Sequence, residues 1–485
     1  MSAVVVVGAG VGGLAAAARL ACQGHQVTLL EAQDTVGGKL GVYERDGFRF
    51  DTGPSLLTMP AVFEDLFNAT GGWPPELVLE RLDPIARYRF PDGSTLDLTD
   101  DLDEQCRRME ALRPGNGEEW RAFQERARRI WKASRTPFLE SPLRGSRSLA
   151  SLTLRHPADL ATLAPGRTLR DLARRHLHDP RLRMLVDRYA TYTGSDPRRA
   201  PAALAAIPYA EQAFGGWYVT GGLRRLADAL LQRCLDVGVA VRTGARVVRI
   251  LQPVTGVVLE DGTTVTADLV VCNADAAHLY GDLVDCPSAS RKLAKATPSL
   301  SGFVLLLAVE GRTEGPPRHT VLFPEDYDAE FDAVFERARP VPDPTLFVSI
   351  TPDLAPDGCE AWFVLVNAPR HGTGRGAMDW RAPGIATSYA ARLLELLAAR
   401  GMPVAGRVRW QEVITPADLE DRTGAVGGAI YGTSSNGTTA AFLRPANRSP
   451  VPGLFLVGGS SHPGGGLPLV ALSAQIVGRL VDPPD

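Results

Sequence analysis

The sequence predicts an α/β protein: a parallel-sheet nucleotide domain laid down in three separate pieces, a second domain on a mixed sheet, and a helical insertion facing a membrane. Three observations predict it. A strand, a glycine turn and a helix follow one another without a gap at the N-terminus, and a second strand–glycine–helix unit closes the chain. Between them, hairpin signals and long amphipathic helical periods interrupt the alternation of strands and helices, which then resumes. At 485 residues the chain is too long for one ordinary core, so several domains are the sensible expectation.

The first unit organises the rest. Val4-Val5-Val6-Val7 is a β-branched run suited to a strand covered on both faces. It runs into Gly8-Ala9-Gly10-Val11-Gly12-Gly13, which fits G-x-G-x-x-G, and then into a helix-forming stretch from Leu14 to Leu20. Gly8 serves the tight turn, Gly10 lets a pyrophosphate approach the backbone, and Gly13 lets the helix pack close to the sheet. The helix N-terminus then faces the phosphates. A second strand, Gln26 to Leu30, ends at Glu31, placed to accept from ribose hydroxyls, which argues against a 2′-phosphate and hence against NADP. This is the signature of a Rossmann-type domain binding a dinucleotide.

The loop after Glu31 carries Gly37, Gly38 and Lys39 where a diphosphate would pass, and Gly47 to Pro54 reads as a strand ending in a turn with Asp51 at its close. A short helix follows, burying Phe63, Leu66 and Phe67. A hairpin around Asp92-Gly93 leaves the nucleotide pattern. Helical periods then place Trp120, Phe123, Ile130 and Trp131 on one face and Leu169, Leu172, His176 and Leu177 on the next. From Arg121 to Arg188 there are sixteen Arg and Lys against six Asp and Glu. That excess suits either a helix lying on anionic lipid or a solvated basic face on an ordinary helical lid. A helix from Leu223 to Cys234 and strands at Val239 to Arg242, Arg246 to Leu251 and Ala267 to Asn273 return to the nucleotide pattern. Strands at Gly302 to Val309, Thr345 to Ile350 and Ala361 to Val366, with a helix near Gly384 to Arg400, form the second mixed region. The expected pieces are therefore 1–76, 209–290 and 446–485 for the nucleotide domain, 77–115 and 291–445 for the mixed-sheet domain, and 116–208 for the helical insertion.

Composition excludes several functions. With 52 basic against 55 acidic side chains, nothing favours nucleic acid. Six scattered cysteines without a C-x-x-C point to reduced thiols in a cytosolic protein and to no metal site. The chain opens on a strand, without the pattern of a secretory signal, and runs such as Phe303 to Val309 are far short of a membrane span.

The C-terminal unit bears on which dinucleotide, with a loop that merely caps the domain as the competing reading. Leu454 to Val457 is a strand, Gly458 to Gly466 a glycine loop containing His462, and Leu467 to Leu480 an apolar helix. Its N-terminus suits the pyrimidine end of an isoalloxazine, where negative charge builds up on reduction. NAD needs no second clamp, so two glycine units favour FAD. No G-x-S-x-G, H-E-x-x-H or metal-spaced cluster is present. Asp51 and His462 remain as acid–base candidates, with a turn cap and a satisfied loop residue as the competing readings. A flavin takes a hydride at its N5 without help, so the protein need only bind, orient and exclude water.

These stretches, together with Phe50-Asp51-Thr52-Gly53-Pro54-Ser55, Asn273-Ala274-Asp275 and Leu456-Val457-Gly458-Gly459 running to His462-Pro463-Gly464-Gly465-Gly466, resemble the bacterial phytoene desaturase family of carotenoid desaturases over nearly the whole chain. The resemblance implies an FAD enzyme, peripheral on the cytoplasmic face of the cell membrane, that draws a long isoprenoid polyene into an apolar tunnel and removes hydride and proton from neighbouring carbons. It implies that Gly8, Gly10, Gly12, Gly13, Glu31, Gly37, Gly38 and Lys39 hold the ADP half and diphosphate, with Val247 near the adenine. Gly458, Gly459, Gly465 and Leu467 would hold the flavin end. The segment Arg188 to Ser195 and Pro201-Ala202 look closer to the hydroxycarotenoid 3,4-desaturase branch than to phytoene desaturases proper. The electron acceptor stays open. So do a carotenoid oxidase or isomerase, an amine oxidase, and a non-catalytic FAD escort protein. An amine would want an aromatic cage, for which Gly427 to Phe442 supplies only Tyr431 and Phe442.

Overall fold

A computed structural model describes residues 1–143, 161–437 and 440–481; the side chains of Ala441 and Phe442 and residues 144–160 of the expected insertion lie outside the described residues. Five parallel strands form the first sheet, in the order Leu454–Leu456, Leu269–Cys272, Ala3–Val7, Gln26–Leu30, Ala240–Arg242. Val4 pairs with Val27 on one side and Leu269 on the other, so the opening apolar run is the middle of the sheet. Strands buried on both faces need cover on both. Helices Val11–Cys22, Arg224–Asp236 and Leu467–Val481 cover one face, through Leu14, Leu226, Leu230 and Val477. The antiparallel strands Val247–Ile250, Gly256–Leu259 and Thr264–Thr266 cover the other, burying Val5, Val7, Leu30 and Val257 together.

A second, seven-stranded sheet is mixed. Its order is Val408–Ile414, Ser301–Glu310, Cys359–Ala368, Leu346–Thr351, His319–Leu322, Ala86–Arg89, Thr95–Leu98. Only the pairing of His319–Leu322 with Ala86–Arg89 is parallel. The helix Ile385–Ala399 seals one face, packing Tyr389, Leu393 and Leu397 on Phe303, Leu305 and Val364. The opposite face carries Val304, Leu306 and Phe363, partly covered by Phe48 and Phe50. Two of these strands, His319–Leu322 and Val408–Ile414, are absent from the sequence-based expectation. The first is four residues long and follows a Gly-Pro-Pro turn, and the second is a half-solvated edge with Arg409 and Gln411 exposed.

The helices Leu102–Leu112, Asn116–Ser134, Leu169–His176 and Pro180–Arg188 pack on the Thr95–Leu98 end of this sheet. Their apolar faces turn inward: Trp120, Phe123, Ile130, Leu169 and Leu177 are fully buried with Tyr88, Phe90 and Phe323. This corrects the lipid-facing reading for those side chains, because the stripe is consumed by the protein's own core. His176, expected on the same stripe, stays half-buried. Among the described residues no helix is long and apolar enough to cross a membrane.

Candidate active site

The site is assembled where the carboxyl ends of the parallel strands meet the second sheet, the usual position for a ligand on such a sheet. Gly10 ends the first turn and begins the twelve-residue helix Val11–Cys22 without any side-chain cap. The first intrahelical bond is Leu14 N–H to Gly10 O at 3.0 Å, so the N–H groups of Val11, Gly12 and Gly13 are left for an anion. Gly13 lies against the carbonyl of Gly8, with no room for a Cβ between them. Gly37 bridges to Gly10, its N–H donating to Ala9 O at 2.8 Å, which brings the Gly37-Gly38 loop over the turn. Gly38 sits so close that a Cβ there would stand 3.3 Å from the Gly10 Cα.

Glu31 is buried at the end of its strand, and its two oxygens accept from Ala9 N–H at 2.7 Å and Gln33 N–H at 2.9 Å. Each carboxylate oxygen keeps lone-pair capacity for a ribose hydroxyl. Val247 lies in the same neighbourhood: Ala245 N–H, two residues earlier, donates to Glu31 O at 2.8 Å, and Val247 and Leu30 share one apolar cluster. Lys39 points elsewhere. Its ammonium donates to Ala429 O at 2.8 Å and Ile430 O at 2.7 Å, so it ties the first glycine loop to the late segment at 429–432. Burial holds its pKa below the usual lysine value, opposed by the nearby charge of Asp275.

The second glycine turn is framed by Arg444 and Tyr431. Arg444 is buried and donates to Gly459 O at 2.8 Å, to Tyr431 O at 3.1 Å and to Thr433 O. Desolvation pulls its pKa down to about 10. Tyr431 lays its ring where a Cβ of Gly465 would be. Leu467 begins the fifteen-residue closing helix, whose Val470 N–H donates to Gly466 O at 3.0 Å.

Residues 11–360 match the family model described as flavin containing amine oxidoreductase. The chain belongs to that family. It is 33% identical over 490 residues to a 1-hydroxycarotenoid 3,4-desaturase from Flavobacterium sp. (strain P99-3), with 99% of each chain covered. It is 38% identical over 487 residues to a hydroxyneurosporene desaturase from Cereibacter sphaeroides, covering 97% of this chain and 96% of that one. Among solved structures, putrescine oxidase bound to putrescine superposes with a TM-score of 0.66 at 16% identity, over 99% of this chain and 98% of that one; at that identity the likeness shows the fold alone. The flavoprotein is therefore an oxidoreductase, and its dinucleotide-type first turn makes the flavin FAD.

The flavoprotein's residues fit that cofactor on an observation independent of the comparison. Asp275 Oδ2 and Thr433 Oγ1 are buried without partners, on residues that line a cleft of about 340 Å³ together with Ser460 and Gly432. Unmet polar atoms beside Ser460 of the second glycine turn suit the hydroxylated chain of such a cofactor. Sequence reasoning missed these two, and it missed Asn273 as a contact of the turns. Asn273 donates to Gly8 O at 3.3 Å, and its amide fills the space a Cβ would need at Gly10, Gly12 and Gly458. One side chain thus separates the two glycine units, 265 residues away in sequence from the first. Nothing local in Asn273-Ala274-Asp275 signals it.

The two acid–base candidates are both engaged structurally. Asp51 accepts from Leu223 N–H at 2.6 Å and Arg224 N–H at 3.1 Å, capping the helix Arg224–Asp236. Burial raises its pKa, opposed by those two N–H groups. The buried His462 places Nε2 2.9 Å from Ser141 O, and desolvation pulls its pKa down to about 4. Its ring is neutral at physiological pH and Nε2–H donates to that carbonyl. The Phe442 half of an amine cage lies outside the described residues, and no described aromatic ring packs on Tyr431.

Proposed function

We propose that the flavoprotein is a carotenoid desaturase that forms a carbon–carbon double bond in a long isoprenoid polyene, with 3,4-desaturation of a 1-hydroxycarotenoid as the specific reaction. The observation that carries this is the apolar face of the seven-stranded sheet. Phe347 and Leu365 sit in its interior strands, paired with one another, yet stay half-buried beside Val304 and Leu306. Leu365 and Ile430 both reach over Gly302, and Ile430 adjoins Tyr431 at the second glycine turn. An apolar face leading to a flavin suits a hydrocarbon chain.

When bound, FAD supplies the two-electron oxidation that a polyene C–H bond requires. The protein's contribution is placement. Val11 to Gly13 N–H groups and the Gly37-Gly38 loop receive the diphosphate, Glu31 the ribose, Val247 the adenine side, and Asp275 and Thr433 the hydroxylated chain. Gly458, Gly459, Gly465 and Leu467 would hold the flavin end. His462 stays neutral and fixes the turn to Ser141, while Asp51 fixes a helix. We assign neither as the base. We also infer the three-piece nucleotide domain with the boundaries given above, supported by strands from all three pieces lying in one sheet. Peripheral association with the inner face of the cell membrane follows from where such a substrate dissolves. The outward arginines of Asn116–Ser134, among them Arg121 and Arg129, support it, and the buried apolar stripe does not.

The test is anaerobic absorbance of the FAD-loaded chain in liposomes, mixed in turn with phytoene, neurosporene and a 1-hydroxylated carotene. Flavin bleaching with a red shift of the polyene band is expected with the hydroxylated substrate. Bleaching with phytoene first makes it a phytoene desaturase proper; bleaching only with an amine, or with nothing, overturns the desaturase reading.

A further inference from the structure

Among the described residues the buried arginines are held directly by a carboxylate or by backbone carbonyls, with one exception. Arg170 pairs with Asp187 at 2.8 Å, Arg224 pairs with Asp228 at 2.7 Å, and Arg444 is held by three carbonyls. Arg188, the last residue of the helix Pro180–Arg188, is only 8% exposed, and no carboxylate lies within ion-pair distance among the described residues. Among the described residues its side chain makes one hydrogen bond, Nη1 to the hydroxyl of Tyr192 at 2.8 Å. The rest of the guanidinium stands among the rings of Tyr192, Phe347 and Tyr88, with centroids at 5.1, 5.7 and 5.9 Å. A guanidinium has five N–H donors, and the protein itself supplies an acceptor for one of them here, which leaves the others able to take an acceptor from a ligand.

We propose that Arg188 and Tyr192 are the receiving site for a hydroxyl on the end of the polyene, and so determine which polyene is desaturated. The proposal rests on the desaturase reading. The charge of the cluster selects a neutral oxygen over a carboxylate. Tyr192 passes its own hydrogen to Glu211 at 3.3 Å, Tyr189 donates to the same carboxylate at 2.5 Å, and one buried anion thereby balances the one buried cation through a hydroxyl. An alcohol oxygen accepts from the free guanidinium N–H groups without adding charge. Position selects the end group over the middle of the chain. The C3–C4 bond lies only a few bonds from a hydroxylated C1, so an end-group site must adjoin the flavin turn and not the far end of a groove. Here it does: the Tyr431 ring meets Gly465 on one side and Gly194, two residues past Tyr192, on the other. Phe347, under the guanidinium, belongs to the apolar face described above.

The experiment measures kcat/KM of the FAD-loaded full chain in liposomes for 1-hydroxyneurosporene and for neurosporene, alongside equilibrium binding of each polyene followed by its absorbance shift under anaerobic conditions with oxidised flavin. Wild type is expected to prefer the hydroxylated polyene by at least about a hundredfold in kcat/KM, since a site built to hydrogen-bond an oxygen rejects an analogue without it. Arg188→Met is expected to lower that ratio by about ten- to a hundredfold, with the same ordering in binding. Tyr192→Phe, which removes one hydroxyl and keeps the ring, gives a smaller fall and a second reading if Arg188→Met does not fold. A ratio unchanged in both variants, with both substrates losing equally, shows a merely structural cluster and overturns the proposal. A wild type that bleaches with both polyenes equally overturns it too and leaves the desaturase reading standing; one that bleaches with neither polyene but with an amine removes the desaturase reading.

Discussion

The two glycine turns that frame the site look alike in sequence and share Asn273 as a neighbour, but the tightest spot in each is crowded by a different thing. In the first, the space a Cβ would take at Gly13 is occupied by the carbonyl of Gly8, which is backbone and is itself fixed by Gly8 N–H donating to Leu30 O at 2.7 Å. In the second, the same space at Gly465 is occupied by the ring of Tyr431, which is a side chain. Backbone held by a sheet cannot yield, and a ring can rotate or be removed. The first turn is thus rigid by construction. The second is adjustable through a neighbour 34 residues away by numbering, 431 to 465.

The largest effect expected from this difference is Gly13→Ala. The helix would have to lift from the sheet, and the N–H groups of Val11 to Gly13 would leave the position that receives a diphosphate. Purified protein should carry less than a tenth of the wild-type flavin per chain, and no substitution at a neighbouring side chain should restore it. Full flavin content in Gly13→Ala would remove the contrast between the turns.

The next separates the turns by pH. His462 anchors the second turn to Ser141, and burial depresses its pKa from 6.5 to about 4. Its folded value lies below its unfolded one, so its contribution to stability is full above pH ~6.5 and is lost as pH falls toward about 4, where the folded protein at last takes the proton. The lost contribution amounts to about 3 kcal/mol. His462→Gln keeps a donor for the Ser141 carbonyl and cannot titrate. The stability advantage of wild type over this variant, read from urea unfolding at pH 7, 5.5 and 4, should therefore shrink by about that amount. The equally depressed His319 is present in both proteins and cancels.

How far the sequence carried is uneven for a physical reason. The first turn was legible because its partners are near in the chain: Gly8 and Gly13 are five residues apart, and Glu31 follows one strand later. The candidate cofactor residues at the second turn were legible through the same local unit. What was not legible depends on distant pairing. Asn273 reaches both turns only because the strand Leu269–Cys272 lies beside Ala3–Val7, and Arg188 stands out only once the fold leaves it, among the described residues, without a carboxylate at ion-pair distance. The helical stripe of Trp120 and Phe123 has the same period whether it meets lipid or Phe90, so periodicity alone leaves both open. Lys39 reads as a diphosphate cation from its place after two glycines, and the fold sends it to the carbonyls of Ala429 and Ile430.

A smaller effect is expected at Glu31, where the first turn relies on charge. Both carboxylate oxygens accept backbone N–H groups, from Ala9 and Gln33. Glu31→Gln turns one acceptor into an NH2 facing an N–H, leaving a buried donor unpaired at a cost of about 2 kcal/mol. FAD affinity measured by fluorescence titration should fall about tenfold to thirtyfold, with the fold retained by circular dichroism. An unchanged dissociation constant would mean that these two bonds do not organise the ribose side.

The smallest effect sharpens the comparison most, because it asks whether the second turn is limited by a side chain. Gly465→Ala should cost toward the lower end of the ~1–3 kcal/mol typical of an inserted methyl, since the Tyr431 ring can swing aside. Tyr431→Ala opens a space on its own account. Combined, the two changes should be far from additive: the new methyl occupies room the ring has left, and the double variant should be more stable than the sum of the singles by about 1 kcal/mol or more. Neighbours in contact couple in this way, whereas a methyl pressed on backbone finds no such partner. Strict additivity in thermal unfolding of the four proteins would show that the ring is not what Gly465 accommodates, and the second turn would then be as unyielding as the first.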